Sequence, residues 1–510
     1  MITDLLLHPT IVSQAIADRP VAALTRALDE ARRSGVRLWL YVGAIEAIQA
    51  ASGLGMGQLS SEAEVFLRAR LAAFAEGCQW LAALASDAQA ALGKLDPLEA
   101  QLAVAAERLG EQGRLLTLEP DRHPHGRCLT PEGFLSTSHD LPIPFIDLAA
   151  QQDHIRGQIE SRIHRVLHHG HFIMGPEVAE LEQQLSTYVG SPHCITVASG
   201  TDSLEIALRA LGIGVGDEVV TVPFTWISTA EVISAVGAKP VFVDIEATSY
   251  NLDPDKLSAA ITPRTKAIMP VSLFGQMADL ERIAAIAVKH GIPVIEDGAQ
   301  SFGAARHGRR SCGVTLVGST SFFPAKPLGC YGDGGALFCS DDALAAKMRA
   351  IRSHGGEKRH YHPYVGMNGR LDTLQASILL AKLDRWDWEV AERGRIGKRY
   401  SELINGVCLT PQITPGNTHV YAQYTIRVPH RERIAELLKA AGIPTAVYYP
   451  KCLHEQPVFK DLNYAWGSFP VSERASREVL SLPMHPYLPA ASQDRIVATL
   501  RSSINKVSSP

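Results

Sequence analysis

Residues 321–338 read SFFPAKPLGCYGDGGALF. Lys326 stands in a stiff, apolar turn with Pro324 and Pro327 on either side, two phenylalanines before it and a glycine-rich run after it. Surface lysines usually sit in polar, helix-forming surroundings. A snorkelling lysine would lay its stem on apolar surface and keep its head in water. A lysine held rigid and partly desolvated would have a depressed pKa, and its free amine would serve as a nucleophile. The stretch alone is compatible with both, so the surrounding chain must decide.

The chain of 510 residues is too long for one ordinary core, and two to four domains are expected. With 46% hydrophobic and 20% charged residues it reads as a globular protein. A formal net charge of −4 gives no global attraction to nucleic acid or an anionic membrane. Eight cysteines without a C-x-x-C pair are too sparse for a disulfide scaffold and fit reduced thiols in a cytoplasm. The start, MITDLLLHPTIV, lacks the layout of a signal peptide. No apolar run approaches the roughly 20 residues a bilayer span requires. The expectation is a soluble, cytoplasmic protein.

Outward from the lysine turn, short apolar runs alternate with helical patterns. VVTVPFTW, PVFVDI, AIMPVSLFG and PVIEDGAQ read as strands, and STAEVISAVGA and DLERIAAIAVKHG as helices. Near-continuous apolar strands separated by helices predict a mostly parallel sheet covered on both faces. DTLQASILLAKLDRWDWEVAERGRIGKRYSELI reads as one long helical stretch. VYAQYTIRV, RERIAELLKAAGI and TAVYYP then predict a smaller α+β domain. The Pro-, His- and Gly-rich segment 120–143 reads as loop and linker. The resulting division is 1–138, 139–394 and 395–510. The first part is itself α/β, with strands at 1–6, RLWLYV and RLLTLE.

In α/β sheets ligands bind where strand ends meet helix starts. Ser199, Gly200 and Thr201 precede an amphipathic helix, whose free N–H groups suit a phosphate; an ordinary N-cap starting at Thr201 is the competing reading. Asp297 ends the strand of PVIEDGAQSFGA, and Gln300 lies three residues on. A buried carboxylate needs a partner, such as a protonated ring nitrogen, unless it is a helix cap. Trp226, just past a strand end, would stack on a flat ring or simply pack in a core. Ser321 supplies a hydroxyl five residues before Lys326. Phosphate cradle, aromatic plate, carboxylate and amine together are the equipment for pyridoxal phosphate.

The same motifs carry a resemblance. FIDLAAQQ, GPEVAELE, ASGTDSLEIAL, PVIEDGAQSFGA, TSFFPAKPLGCYGDGGALF, VGMNGRLDTLQASILLAKL and SLPMHPYL occur in order over some 350 residues. This segment resembles the DegT/StrS-type nucleotide-sugar aminotransferases, pyridoxal phosphate enzymes of the aspartate-aminotransferase fold. Its wording is most similar to transaminases acting on UDP-2-acetamido-3-keto-glucuronic acid in bacterial O-antigen synthesis. The resemblance implies that Lys326 binds the cofactor covalently, Asp297 pairs with its ring nitrogen and Gln300 faces its phenolic oxygen. It implies that Trp226 stacks on the ring and that Gly200, Thr201 and Ser321 hold the phosphate. Asn368 would reach the phosphate of the neighbouring subunit's cofactor, Arg370 would face substrate there, and Tyr449 is a further substrate-site candidate. It also implies glutamate and a UDP-keto-sugar as substrates and a homodimer with shared sites. Relatives that dehydrate sugars replace the lysine with histidine, so Lys326 opposes that alternative.

Residues 1–138 resemble a PIN-type domain, in which carboxylates bind Mg²⁺ or Mn²⁺ for RNA cleavage. The candidates would be Asp4, Glu46, Glu99, and Glu119 or Asp121. Only three residues precede Asp4, and Leu6 occupies a position usually small and polar. A degenerate domain used for interaction or regulation is therefore expected, in preference to a nucleic-acid-acting one. HPH (123–125) and HHGH (168–171) lack a matching ligand set and read as loop and helix-end histidines.

Overall fold

The computed structural model describes residues 143–508 and, before them, the four strands β1 (Asp4–Leu7), β2 (Arg37–Leu40), β3 (Leu115–Thr117) and β4 (Gly126–Cys128). The chain divides into two compact units, Met1–Leu141 and Pro142–Pro510. In the first, β1 pairs with β2 and β3 with β4, both in parallel. Strands β1, β2 and β3 overlap the runs predicted at 1–6, 37–42 and 114–119. Strand β4 lies inside the segment read as linker, and three residues are too few for composition to mark. Asp4 opens β1, whereas Glu46, Glu99, Glu119, Asp121 and the HPH run lie outside the described residues.

The second unit is built on β5 (His193–Val197), β6 (Glu218–Thr221), β7 (Lys239–Phe242), β8 (Thr265–Ile268), β9 (Ile295–Asp297), β12 (Val317–Ser321) and β13 (Gly335–Cys339). A short hairpin, β10 (Ala305–Arg306) and β11 (Arg309–Arg310), lies between β9 and β12 in the chain. Hydrogen bonding gives the orders β5–β13–β12–β9 and β7–β6–β8. Parallel bridges Ile268–Val294 and Val271–Asp297 join β8 to β9. The sheet is parallel throughout except for β13, which runs against both β5 and β12.

The alternation of strand side chains explains why both faces are covered. On β13, Leu337 and Cys339 enter one core with Ile195, Val197, Leu204 and Ile206, while Ala336 and Phe338 enter another with Leu181, Leu185, Phe302 and Trp386. Every residue of β13 is buried. Such a strand shows no polar alternation in sequence.

The long helical stretch is interrupted. Helix Thr373–Leu383 ends, and helix Trp386–Ile404 begins, across a turn in which the Arg385 amide bonds to the Lys382 carbonyl at 3.1 Å. The turn sets Trp386, 1% exposed, against Phe302 with ring centroids 5.9 Å apart. Arg385 covers Trp388 at 3.9 Å. No glycine or proline marks the break; tertiary packing of Trp386 overrides local propensity. Helix 386–404 then supports a core with Tyr400, Tyr424, Ile426, Leu480 and Ile496, which Ile143 also joins. Strands β14 (Tyr424–Arg427) and β15 (Val479–Leu482) form its antiparallel pair. TAVYYP is not a strand there. Ala446 makes a single bridge to Ser481, and the rest runs as an irregular segment toward the sheet.

Truncating Trp386 would leave a cavity between the sheet and helix 386–404. Trp386→Ala is expected to cost about 3–5 kcal/mol of stability. Chemical denaturation followed by circular dichroism measures this, and an unchanged midpoint would show that the indole does not fix the turn.

Candidate active site

Gly335 is the register partner of both Val197 on β5 and Ser321 on β12. It has no side chain, so the chain leaving β5 can fold across β13. A Cβ on Gly335 would lie 2.6 Å from the backbone of Ser199. Gly200 comes equally close to β12, where an added Cβ would lie 2.7 Å from Cβ of Ser321. These two contacts bring the start of helix Gly200–Ala210 onto the end of β12.

That helix is capped by Ser199, which accepts from the Asp202 amide at 3.0 Å. The cap is therefore one position earlier than Gly200 and leaves Thr201 free for another role. Thr201 Oγ1 lies 2.8 Å from Oγ of Ser228, at the start of helix Ser228–Ala235. Ser321 Oγ accepts from the Phe323 amide at 3.3 Å. Three hydroxyls and a helix N-terminus thus gather at one pole, a donor set that fits a phosphate.

Asp297 ends β9 and is 5% exposed. Its carboxylate accepts from Thr229 Oγ1 at 2.8 Å and from the Ala299 amide at 3.2 Å. Burial pushes its pKa up, and the Thr229 hydroxyl, the Ala299 amide and the charge of Lys326 act against that rise. Lys326 is half-buried in the turn after β12. Desolvation holds its ammonium below the ordinary lysine range, and Asp297 opposes that shift. The turn is folded on itself: the Lys326 amide bonds to the Phe323 carbonyl at 2.8 Å, and the Cys330 amide to the Phe322 carbonyl at 2.8 Å.

Gln300 is oriented from both ends. Its Oε1 accepts from the Phe274 amide at 2.9 Å, and its Nε2 donates to the Tyr449 hydroxyl at 3.0 Å. Burial raises the Tyr449 pKa, so the phenol stays protonated. Tyr449 in turn lies 6.1 Å from the ring of Trp226. Trp226 is 57% exposed, unlike a core tryptophan, and presents its indole at the mouth of the site.

Asn368 and Arg370 flank Gly369, whose carbonyl accepts from the Ala198 amide at 2.9 Å. This bond ties their loop to the segment just before the phosphate pole. Asn368 is exposed and Arg370 half-buried, with its Nε lacking a hydrogen-bond partner among the described groups. His168 and His169 close helix Leu148–His169, and His169 Nε2 lies 3.2 Å from Glu177. Among the described residues no group of His, Cys, Asp or Glu is arranged to hold a metal ion.

Thr229, Ser228 and Gly335 belong to the site but were not singled out in the sequence. Thr229 and Ser228 sit in the STAE string, which reads as a plain helix start. Its position directly after the Trp226 segment was the available signal. The lysine, the buried carboxylate, the glycine-mediated cradle and the hydroxyl pole together fit pyridoxal phosphate.

Comparison with known proteins bears on the same residues. Residues 153–501 match the DegT/DnrJ/EryC1/StrS aminotransferase family. A Pseudomonas aeruginosa protein, UDP-2-acetamido-2-deoxy-3-oxo-D-glucuronate aminotransferase, is 54% identical over 359 residues, 70% of this chain and 99% of its own. A Brucella abortus aminotransferase structure of the same family superposes with a TM-score of 0.69 at 45% identity, covering 71% of this chain and 99% of that one. A Bacillus subtilis structure with bound cofactor PMP superposes with a TM-score of 0.65 at 31% identity, covering 71% and 83%.

Removing the Thr229 hydroxyl takes from Asp297 a donor that favours its ionised form. In Thr229→Val the Asp297 pKa should move further up, so less of it is ionised at a given pH. The acid limb of the pH–rate profile is expected to shift to higher pH. An unmoved limb would show that the hydroxyl does not tune the carboxylate.

Proposed function

The chain belongs to the DegT/DnrJ/EryC1/StrS aminotransferase family, with pyridoxal phosphate as cofactor, and from that premise we propose its substrates and site roles. The reaction moves an amino group from glutamate to C3 of a UDP-linked 3-keto sugar, UDP-2-acetamido-2-deoxy-3-keto-glucuronic acid, for bacterial surface-polysaccharide synthesis. The observation that carries this reading is the 54% identity to the Pseudomonas aeruginosa enzyme across 99% of that enzyme's length. The enzyme works as a cytoplasmic homodimer on a fold of the aspartate-aminotransferase type, with a large domain at 139–394 and a small one at 395–510. Residues 1–138 form a degenerate PIN-like domain used for interaction or regulation.

Bound cofactor supplies an electron sink that stabilises negative charge on a substrate carbon. The chain's residues do the rest. Lys326 would hold the cofactor covalently, and its free amine would be the base that moves a proton on the substrate carbon. Desolvation lowers the Lys326 pKa and so favours the free amine, with Asp297 opposing the shift. Asp297, ionised, keeps the ring nitrogen protonated. Gln300, fixed by Phe274 and Tyr449, donates toward the ring's phenolic oxygen, and Trp226 covers a ring face. Gly200, Thr201 and Ser321 bind the phosphate, with Asn368 from the neighbouring subunit. Arg370 of that subunit and Tyr449 face the sugar. Two half-reactions share one amine carrier, so ping-pong kinetics are expected.

Lys326→Ala is expected to lower transamination by about 10³-fold or more while the fold persists. The assay adds glutamate to purified protein and follows the bound-cofactor absorbance. The UDP-3-keto-glucuronate sugar is then added and the amino sugar identified by mass spectrometry. Wild-type turnover in the variant would reject the lysine assignment. An absorbance change with glutamate that only a different nucleotide keto sugar reverses would keep the reaction class and overturn the substrate.

A further inference from the structure

Helix Thr373–Leu383 buries a lysine outside the group just described. Lys382 is 2% exposed, among the largest fully buried side chains of the described residues. An ammonium in an apolar interior is costly, and a methionine or leucine would fill the same space without that cost. Its environment is specific. Nζ donates to the Gly329 carbonyl at 2.5 Å and lies 4.5 Å from the centre of the Tyr331 ring. Glu389 is the nearby carboxylate, yet it accepts from Gln151 Nε2 at 2.8 Å and from the Tyr487 hydroxyl at 2.8 Å. The hydrogen bond recorded for the Lys382 ammonium thus goes to a backbone carbonyl of the lysine turn. Burial brings its pKa down to about 8, with Glu389 acting against the shift.

Gly329 transmits that bond to Lys326. A Cβ on Gly329 would lie 2.6 Å from the carbonyl oxygens of both Phe323 and Pro324, so the two limbs of the turn are in backbone contact there. Phe323 is also the residue whose carbonyl accepts from the Lys326 amide. Seven positions before Lys382, two helical turns away on the same face, Gln375 Oε1 accepts from the Tyr331 amide at 2.9 Å. One helix face therefore grips the turn at two points, Gly329 and Tyr331.

We infer that Lys382, assisted by Gln375, is a positioning residue: it clamps the 322–332 turn from behind through the Gly329 carbonyl and so places the Lys326 amine for covalent and proton-transfer chemistry. The inference rests on Lys326 being the cofactor lysine. The two prolines restrict the turn's own dihedrals but do not fix where it sits on the sheet. Placement to a fraction of an ångström is what an amine serving as both leaving group and base requires.

The test uses the full-length protein and the variants Lys382→Met and Gln375→Met. Apoprotein is mixed with pyridoxal phosphate, quenched with borohydride at intervals, and the labelled peptide mapped. Melting temperature and steady-state constants for glutamate are measured in parallel. In the wild type the label should fall on Lys326; label elsewhere would fail the functional reading itself, not the clamp. In folded Lys382→Met the rate of labelling at Lys326 and kcat are expected to fall about tenfold to a hundredfold, with KM for glutamate little changed. Gln375→Met should show the same split, more weakly. A lower melting temperature with wild-type labelling rate and kcat would mean Lys382 is merely structural and would overturn the inference. If Lys382→Met does not fold, Gln375→Met decides on the same two readouts: wild-type values overturn the inference, and a selective loss of kcat and labelling rate supports it.

Discussion

A buried carboxylate and a half-buried amine lie at the ends of two adjacent parallel strands. Burial drives Asp297 upward and Lys326 downward, both toward the neutral form, and each one's charge is a cause opposing the shift of the other. A carboxylate at the depth of Asp297 is costly without partners. The sheet makes the pairing unavoidable. Ser319 of β12 is in register with Asp297 of β9, so the turn that follows Ser321 necessarily emerges beside the carboxylate. Thr229 and Ala299 then hold the ionised form with two hydrogen bonds without neutralising it. A negative site with no paired cation in direct contact is suited to a ring nitrogen that must stay protonated.

The glycines do comparable work at the other pole. A phosphate cradle formed by one helix start could sit anywhere along the strand ends. It sits over β12 because Gly335 lets the Ser199 backbone pass across β13, and because Gly200 and Ser321 are in backbone-level contact. The hydroxyl pole and the carboxylate are therefore fixed by one sheet register, and the lysine turn leaves the same strand end.

The sequence displayed those parts because each sits where a pattern changes. Asp297 and Ser321 interrupt apolar strands at their ends, and Lys326 interrupts a turn of prolines and aromatics. What stayed hidden are contacts between residues far apart in the chain. Thr229 meets Asp297 across 68 positions, and Lys382 meets Gly329 across 53. Lys382 in ILLAKLDRW looks like any polar residue of an amphipathic helix, and nothing local announces that its head is buried. The break before Trp386 was hidden for the same reason, since a tryptophan's tertiary neighbour decides it. TAVYYP misled in the opposite sense. Its β-prone residues are used to reach Gln300 and Trp226, not to extend the β14–β15 ladder. The carboxylates predicted for the first unit, apart from the backbone of Asp4, fall outside the described residues.

Gln300 shows how the two halves of the second unit are made to agree. Its amide oxygen accepts a hydrogen bond from the Phe274 amide, which fixes which end of the side chain is the donor. The amide nitrogen donates to Tyr449, in the segment that Ala446 ties to β15. The Tyr449 oxygen accepts through a lone pair, while burial keeps its own proton in place. Gln300 thus ties the loop after Asp297 both to the Phe274 backbone and to the segment that carries Tyr449.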